Sequence, residues 1–189
     1  MSFLKKYSYI TFKLFLNQFA ISLFGFALAF ACGRADNMSL MLITSIFSVI
    51  FYLFLQYAVM WEVGAKDGIS ATARHTSRGL WRGFAIAGIA NAANILLAIL
   101  VFTKTFTGIT KLSAVAQFIA MVLQGMYQGI LSQSVGGVQL HELGWVYFVM
   151  VVPTLLVCGG SYIIGNYNLH FTNILIPKNK DVKNNGRPE

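Results

Sequence analysis

Residues 40–61, LMLITSIFSVIFYLFLQYAVMW, run without an Asp, Glu, Lys, Arg or His. An α-helix rises about 1.5 Å per residue, so a run of this length matches the roughly 30 Å hydrocarbon core of a bilayer. In lipid every backbone N–H and C=O needs a partner within the protein, which leaves only helices or a closed barrel. The run is about twice as long as a barrel strand. It therefore predicts a helix, and a membrane around it.

Four more segments compete for the same role: 14–32, 81–102, 112–133 and 145–164. Only 11% of the chain is charged and 57% is hydrophobic, against about 25% charged in an ordinary soluble domain. Mean hydropathy is +0.66. A soluble core of this size has no room for that much apolar surface, so the expectation is one all-α integral membrane helical bundle. The net charge of +8 then points to anionic lipid. No basic run interleaved with aromatics lies outside the apolar segments, so no nucleic acid is expected.

The segment 112–133, LSAVAQFIAMVLQGMYQGILSQ, is the weakest candidate span, because Gln, Gly and Ser interrupt it. The charges decide its status. If it does not cross, eleven of the fourteen Lys and Arg share one side, and Arg34, Lys104 and Lys111 face the other. If it crosses, the division becomes seven to seven. Cytoplasmic loops carry the Lys/Arg excess, so four transmembrane helices are expected, with both termini cytoplasmic. The fourth segment is then an interfacial or re-entrant helix. Ser113, Gln117, Gln124, Gln128 and Ser132 form its polar stripe, opposite Phe118, Met121, Val122 and Ile130. The alternative is a fifth span whose Gln stripe faces the bundle.

Ala29-Phe30-Ala31 imitates a signal cleavage site, but the apolar stretch before it exceeds the usual 7 to 15 residues or so. An uncleaved first helix is expected. The domain division is a single transmembrane domain, 1–167, and a cytoplasmic basic tail, 168–189, in the plasma (inner) membrane.

The stretch YAVMWEVGAKDGIS, 57–70, ends the second span. Trp61 suits the headgroup level, and Glu62 and Lys66 are spaced to pair along one helical turn. Gly64 and Gly68 weaken a helix, and Gly68 is the expected stop. Arg74, His75, Arg78 and Arg82 follow and form a juxtamembrane basic patch facing anionic inner-leaflet lipid. With Glu62, Lys66 and Asp67 they make a candidate cytoplasmic cluster able to shape a pocket or dock a partner. A well-made helix exit explains the same residues.

Inside the membrane, polar groups need partners and so mark contacts or pathways. Helix 2 carries Thr44, Ser48, Tyr52 and Gln56 at a spacing of four. Helix 3 places Asn91 and Asn94 near mid-depth, and helix 1 has Gln18, Ser22, Gly25 and Ala29 on one face. Pro153 should kink the last helix. Tyr52, Gln56, Asn91 and Asn94 are the candidate polar intramembrane contacts. No Asp, Glu, Lys, Arg or His sits at that depth, which argues against a proton- or ion-coupled carrier.

Recognisable catalytic chemistry is absent. His141-Glu142 begins an H-E-x-x-H motif, but Trp145 takes the place of the second His. Cys32 and Cys158 form no C-x-x-C. No cofactor or metal is expected.

Trp61, Gly64, Lys66 and Asp67, followed by Asn91 and Asn94, resemble a pattern in small multi-span proteins of Gram-positive bacteria, over about a quarter of the chain. The resemblance implies a bacterial inner membrane and carries no activity with it. The sequence expectation is a non-catalytic membrane protein acting through helix contacts, as an accessory subunit or a homo-oligomer. The alternative is a small permease with a polar path between helices 2 and 3. A membrane enzyme ranks third.

Overall fold

Three of the apolar runs become unbroken helices: α1 (Phe3–Arg34), α2 (Met38–Ala73) and α7 (Val146–Asn166). Each is long and apolar enough to cross a membrane. The computed structural model describes residues 3–35, 37–107 and 110–169. The tail beyond Leu169 and the side chains of Lys104 and Lys111 lie outside the described residues.

Local chemistry sets the helix ends. Asn37 caps α2 by accepting the Leu40 N–H at 2.9 Å, satisfying one of the orphan donors of the first turn. At 36 residues, α2 is roughly 54 Å long, so its last three turns run on past Trp61 and out of the hydrocarbon core. It does not stop at Gly68, as the sequence suggested. It closes at Arg74, where His75 takes a left-handed φ of 50° and the Thr76 N–H reaches back to the Ala71 carbonyl at 3.0 Å. The glycines are tolerated inside the helix because they serve its packing. Gly64 lies against the Tyr162 carbonyl, Gly68 against the Asn166 carbonyl, and Gly165 against the Trp61 carbonyl. Helices α2 and α7 thus run parallel at backbone contact. Helix α7 passes through Pro153 without a break.

A bent pair supplies the fourth crossing. Helices α3 (Arg82–Ala90) and α4 (Ala92–Thr107) meet at Asn91, and the axis turns by 60° there. Gly83 of α3 packs on the Tyr162 side chain near the end of α7, whereas Phe102 of α4 lies against Gly144, just before α7 begins. The pair therefore traverses the whole bundle.

The remaining pair turns back. Helix α5 (Thr110–Leu123) and the 3-10 turn Gly125–Tyr127, which leads into α6 (Gln128–Leu131), are bent by 85°. At the middle of α5, Gln117 donates to the His141 carbonyl at 2.7 Å. At its tip, the Leu123 carbonyl accepts from Gln18 and Ser22, halfway along α1. The Gly129 N–H of α6 then donates to Ser45 Oγ at 2.6 Å, back near the start of α2. This is a re-entrant hairpin. Its polar stripe faces the bundle, with Gln124 2% exposed, and Phe118 faces outward at 65%.

A short ribbon, β1 (Ser134–Val135) and β2 (Val138–Gln139), precedes α7. Its two-residue loop, Gly136-Gly137, needs φ of 63° and 84°, which glycine adopts without cost. Outward-facing Phe47, Ile50, Phe54, Leu96 and Leu156 give the bundle an apolar coat. The start of α1, the end of α2, the start of α3 and the end of α7 share one end of the bundle, termed the basal end below.

Candidate functional site

Two polar constructions stand out against the apolar packing. The first is a chamber at mid-bundle. The halfway points of α1, α2 and α7 meet both helix breaks there, bringing Gln18, Tyr52, Asn91, Asn94, Gln124 and Thr154 around a cavity of ≈ 10 Å³. That is room for about one water molecule. All six are buried, none more than 3% exposed. The four residues singled out from the sequence are part of this arrangement: Tyr52, Asn91 and Asn94 line it, and Gln56 lies one turn further along α2.

Four amide groups each use one N–H on a fixed partner. Gln18 donates to the Leu123 carbonyl at 3.3 Å, Gln56 to the Leu14 carbonyl at 3.0 Å, and Asn91 to the Ala87 carbonyl at 3.0 Å. Asn94 donates to Asn91 Oδ1 at 3.1 Å. Exchanging O and N in Gln56 or Asn91 would set oxygen against oxygen, so these orientations are determined. What remains are buried oxygens without a partner: Gln56 Oε1, Asn94 Oδ1, Gln124 Oε1 and the Tyr52 hydroxyl. Thr154 and Gln56 lie near that hydroxyl without meeting hydrogen-bond geometry. The Tyr127 hydroxyl is satisfied, donating to the Met150 carbonyl at 3.2 Å.

The second construction ties the basal end. Asp67, 9% exposed, accepts from the Tyr7 hydroxyl at 2.5 Å, the Tyr162 hydroxyl at 2.8 Å and Lys6 Nζ at 2.7 Å. One carboxylate thereby joins α1, α2 and α7. It lies six residues beyond Trp61, outside the spanning part of α2. Burial alone pushes the carboxyl up, but the Lys6 ammonium and the two phenols outweigh it and hold Asp67 below the usual carboxylate range. Partial desolvation opposes the change at Lys6, yet Asp67 and Tyr7 raise it above its ordinary value. Arg82, in the first turn of α3, adds positive charge beside Tyr7, Tyr162 and Asp67.

The rest of the basal cluster spreads out. Glu62 and Lys66 pair at 2.6 Å on the exposed face of α2, and the Lys66 hydrogen bond holds Glu62 below its ordinary value. Arg74 and His75 sit exposed at the helix end. Arg78 turns to α7, donating to the Asn166 carbonyl at 3.4 Å and stacking 4.8 Å from the Tyr167 ring. A cleft of ≈ 430 Å³ between α1 and α2 is lined by Lys6, Lys13, Glu62, Lys66 and Asp67. Arg74, His75, Arg78 and Arg82 do not line it.

Sequence reasoning missed Tyr7, Tyr162, Gln124 and Thr154 as site members. The available signal for the two tyrosines was Asp67 itself, since a carboxylate so close to an apolar run needs donors from somewhere. Among the described residues no cluster of His, Cys, Asp or Glu is arranged to hold a metal ion. Comparison with known protein families, curated proteins and solved structures finds no significant match.

Proposed function

We propose that the protein is a small membrane facilitator or carrier that admits one small polar solute to the mid-bundle chamber. The observation that carries this reading is the meeting of two helix breaks, at Asn91 and at Gln124, around buried oxygens with no partner. Broken helices at membrane mid-depth are where transporters expose backbone and side-chain dipoles to a substrate. A bundle acting only through helix contacts, as an accessory subunit or homo-oligomer, gains nothing from such oxygens. Each unsatisfied buried polar group costs about 1–3 kcal/mol. With room for a single small body, the chamber is an occluded state, and the hairpin α5–α6 is the element whose movement opens it. The reading assigns the chain no covalent chemistry.

Flux into proteoliposomes tests it. With a panel of small neutral solutes and alkali cations, the parent should conduct at least one. Replacing Asn91 and Asn94 together with Leu should reduce that flux by about tenfold or more, while the purified double variant remains folded. Flux that survives the double change, or a parent that moves nothing on the panel, rejects the polar path.

Orientation belongs to the same reading. The basal end faces the cytoplasm of a bacterial cell, because translocating Lys and Arg in short loops is disfavoured. Arg74, Arg78 and Arg82 then meet anionic inner-leaflet lipid. In a background lacking Cys32 and Cys158, Ser134→Cys should react with a membrane-impermeant thiol reagent on intact cells, and Asn184→Cys should not. Labelling at 184 without labelling at 134 would reverse the orientation of the hairpin end and the tail.

A further inference from the structure

The chamber presents buried oxygens without partners. Asn94 Oδ1, Gln124 Oε1 and the Tyr52 hydroxyl line it without partners, and Gln56 Oε1 is similarly placed one turn away. One N–H each of Gln18, Asn91 and Asn94 is committed to a neighbouring oxygen. Helix α5 adds to this polarity, because its C-terminal end at Leu123 points into mid-bundle. A helix C-terminus carries a partial negative charge of roughly half an electron. The N-terminal end of α4, at Ala92, brings the opposite partial charge to the same place, and no Lys, Arg or His lines the chamber. An occupant that donates or is positive would satisfy these oxygens.

The donor set narrows the occupant further. Calcium and magnesium sites draw on carboxylates, and none lines this chamber. Transition metals prefer imidazole or thiolate, and neither is present. Neutral carbonyl and hydroxyl oxygens in a low-dielectric setting are what potassium filters use in place of water. Half-helix C-terminal ends play the same part in sodium-coupled transporters. The cavity, at ≈ 10 Å³, fits one bare monovalent ion as well as it fits one water.

We propose that the mid-bundle chamber is a binding site for a single monovalent alkali cation, Na⁺ or K⁺. The ion is held by the oxygens of Tyr52, Asn94 and Gln124, with Thr154 beside them. This names the ligand of the site on which the transport reading rests. A bound ion would clamp α2, α4, α7 and the hairpin tip together, so occupancy and closure are the same event.

The test is the melting temperature of the purified protein in detergent, at constant ionic strength. Choline chloride is exchanged stepwise for NaCl, KCl, LiCl or RbCl. The expected result is a saturable rise with Na⁺ or K⁺, and a weaker rise or none with the poorly fitting ions. Asn94→Leu should raise the half-saturating concentration at least tenfold, about 1.4 kcal/mol. In case the Leu variant folds poorly, Asn94→Asp provides a second arm. Its carboxylate should tighten binding, and increasingly so as pH rises and the acid ionises. Equal melting in choline and in every alkali salt, for both the parent and Asn94→Asp, overturns the proposal and leaves the chamber to a water. The flux assay separates the two readings. Solute flux without cation-dependent stabilisation rejects this ligand and keeps the transport reading. Stabilisation without flux keeps the ion site and rejects transport.

Discussion

Asp67→Leu is expected to destabilise the bundle by about 3 kcal/mol. The carboxylate is 9% exposed and accepts three hydrogen bonds from two helices. Its removal strands the Tyr7 and Tyr162 hydroxyls at the α1–α2–α7 junction, and a hydrogen bond to a charged group is worth about 1.5–3 kcal/mol. The full sum is discounted because Lys6, with its side chain 47% exposed, simply turns to solvent. Lys6→Met should accordingly cost less than about 1 kcal/mol. The pH dependence has a definite sign. Asp67 is held below its ordinary value, so its contribution is complete above the unfolded value of about 3.9. It is lost as pH falls through the lower folded value. Asp67→Asn should keep part of the geometry, lose the charge, and flatten the acid limb of the stability curve. Thermal unfolding in detergent between about pH 1 and pH 5, the range that spans such a limb, measures both effects. If Asp67→Leu melts with the parent, the junction is not held by this carboxylate.

Much of the interior was legible in advance, for one physical reason. A residue that must face other helices recurs at helical spacing, and lipid offers no competing polar partner. Gln18, Ser22, Gly25 and Ala29 were grouped on one face of the first helix, and all four are buried. Of the stripe Thr44, Ser48, Tyr52 and Gln56, the last three are buried and Thr44 is half-buried. The segment 112–133 stood apart from the clean spans because Gln, Gly and Ser interrupt it, and in the structure it bends by 85° and turns back. What spacing within one helix cannot reveal is which helices touch. Tyr7 and Tyr162 lie 60 and 95 residues from Asp67, and a tyrosine near a helix end suits a headgroup as well as a carboxylate. Gln124 joins the chamber because α5 ends there, a consequence of tertiary packing.

Glycine lowers helix propensity by about 1 kcal/mol relative to alanine, which made Gly68 look like a terminus. Backbone contact with α7 offsets that cost, and the helix continues to Ala73. The absence of Asp, Glu, Lys, Arg and His at mid-depth argued against a proton- or ion-coupled carrier, and the proposed cation site departs from that expectation. That absence does not bear on an ion held by neutral oxygens, since amide and hydroxyl dipoles bind a monovalent cation without formal charge.

The glycine contact carries the largest expected effect. A Cβ at Gly64 would meet the Tyr162 carbonyl, and one at Gly68 the Asn166 carbonyl, both backbone atoms of α7. Backbone cannot step aside as a flexible side chain can, so the helices must separate. Separation at this level also draws Tyr162 away from Asp67, adding the loss of that hydrogen bond to the loss of packing. Gly64→Val and Gly68→Val should therefore each destabilise by about 4 kcal/mol or more, in the range reserved for severe core damage. Gly88 and Gly160 provide the internal comparison, being helical glycines with nothing within 4 Å of an added Cβ. Gly88→Ala and Gly160→Ala should be neutral or stabilise by up to about 1 kcal/mol through helix propensity alone. Unfolding curves for the four variants under one set of conditions give the answer. The close approach is refuted if the two groups melt together, because only the first pair has carbonyls where the new side chain must go.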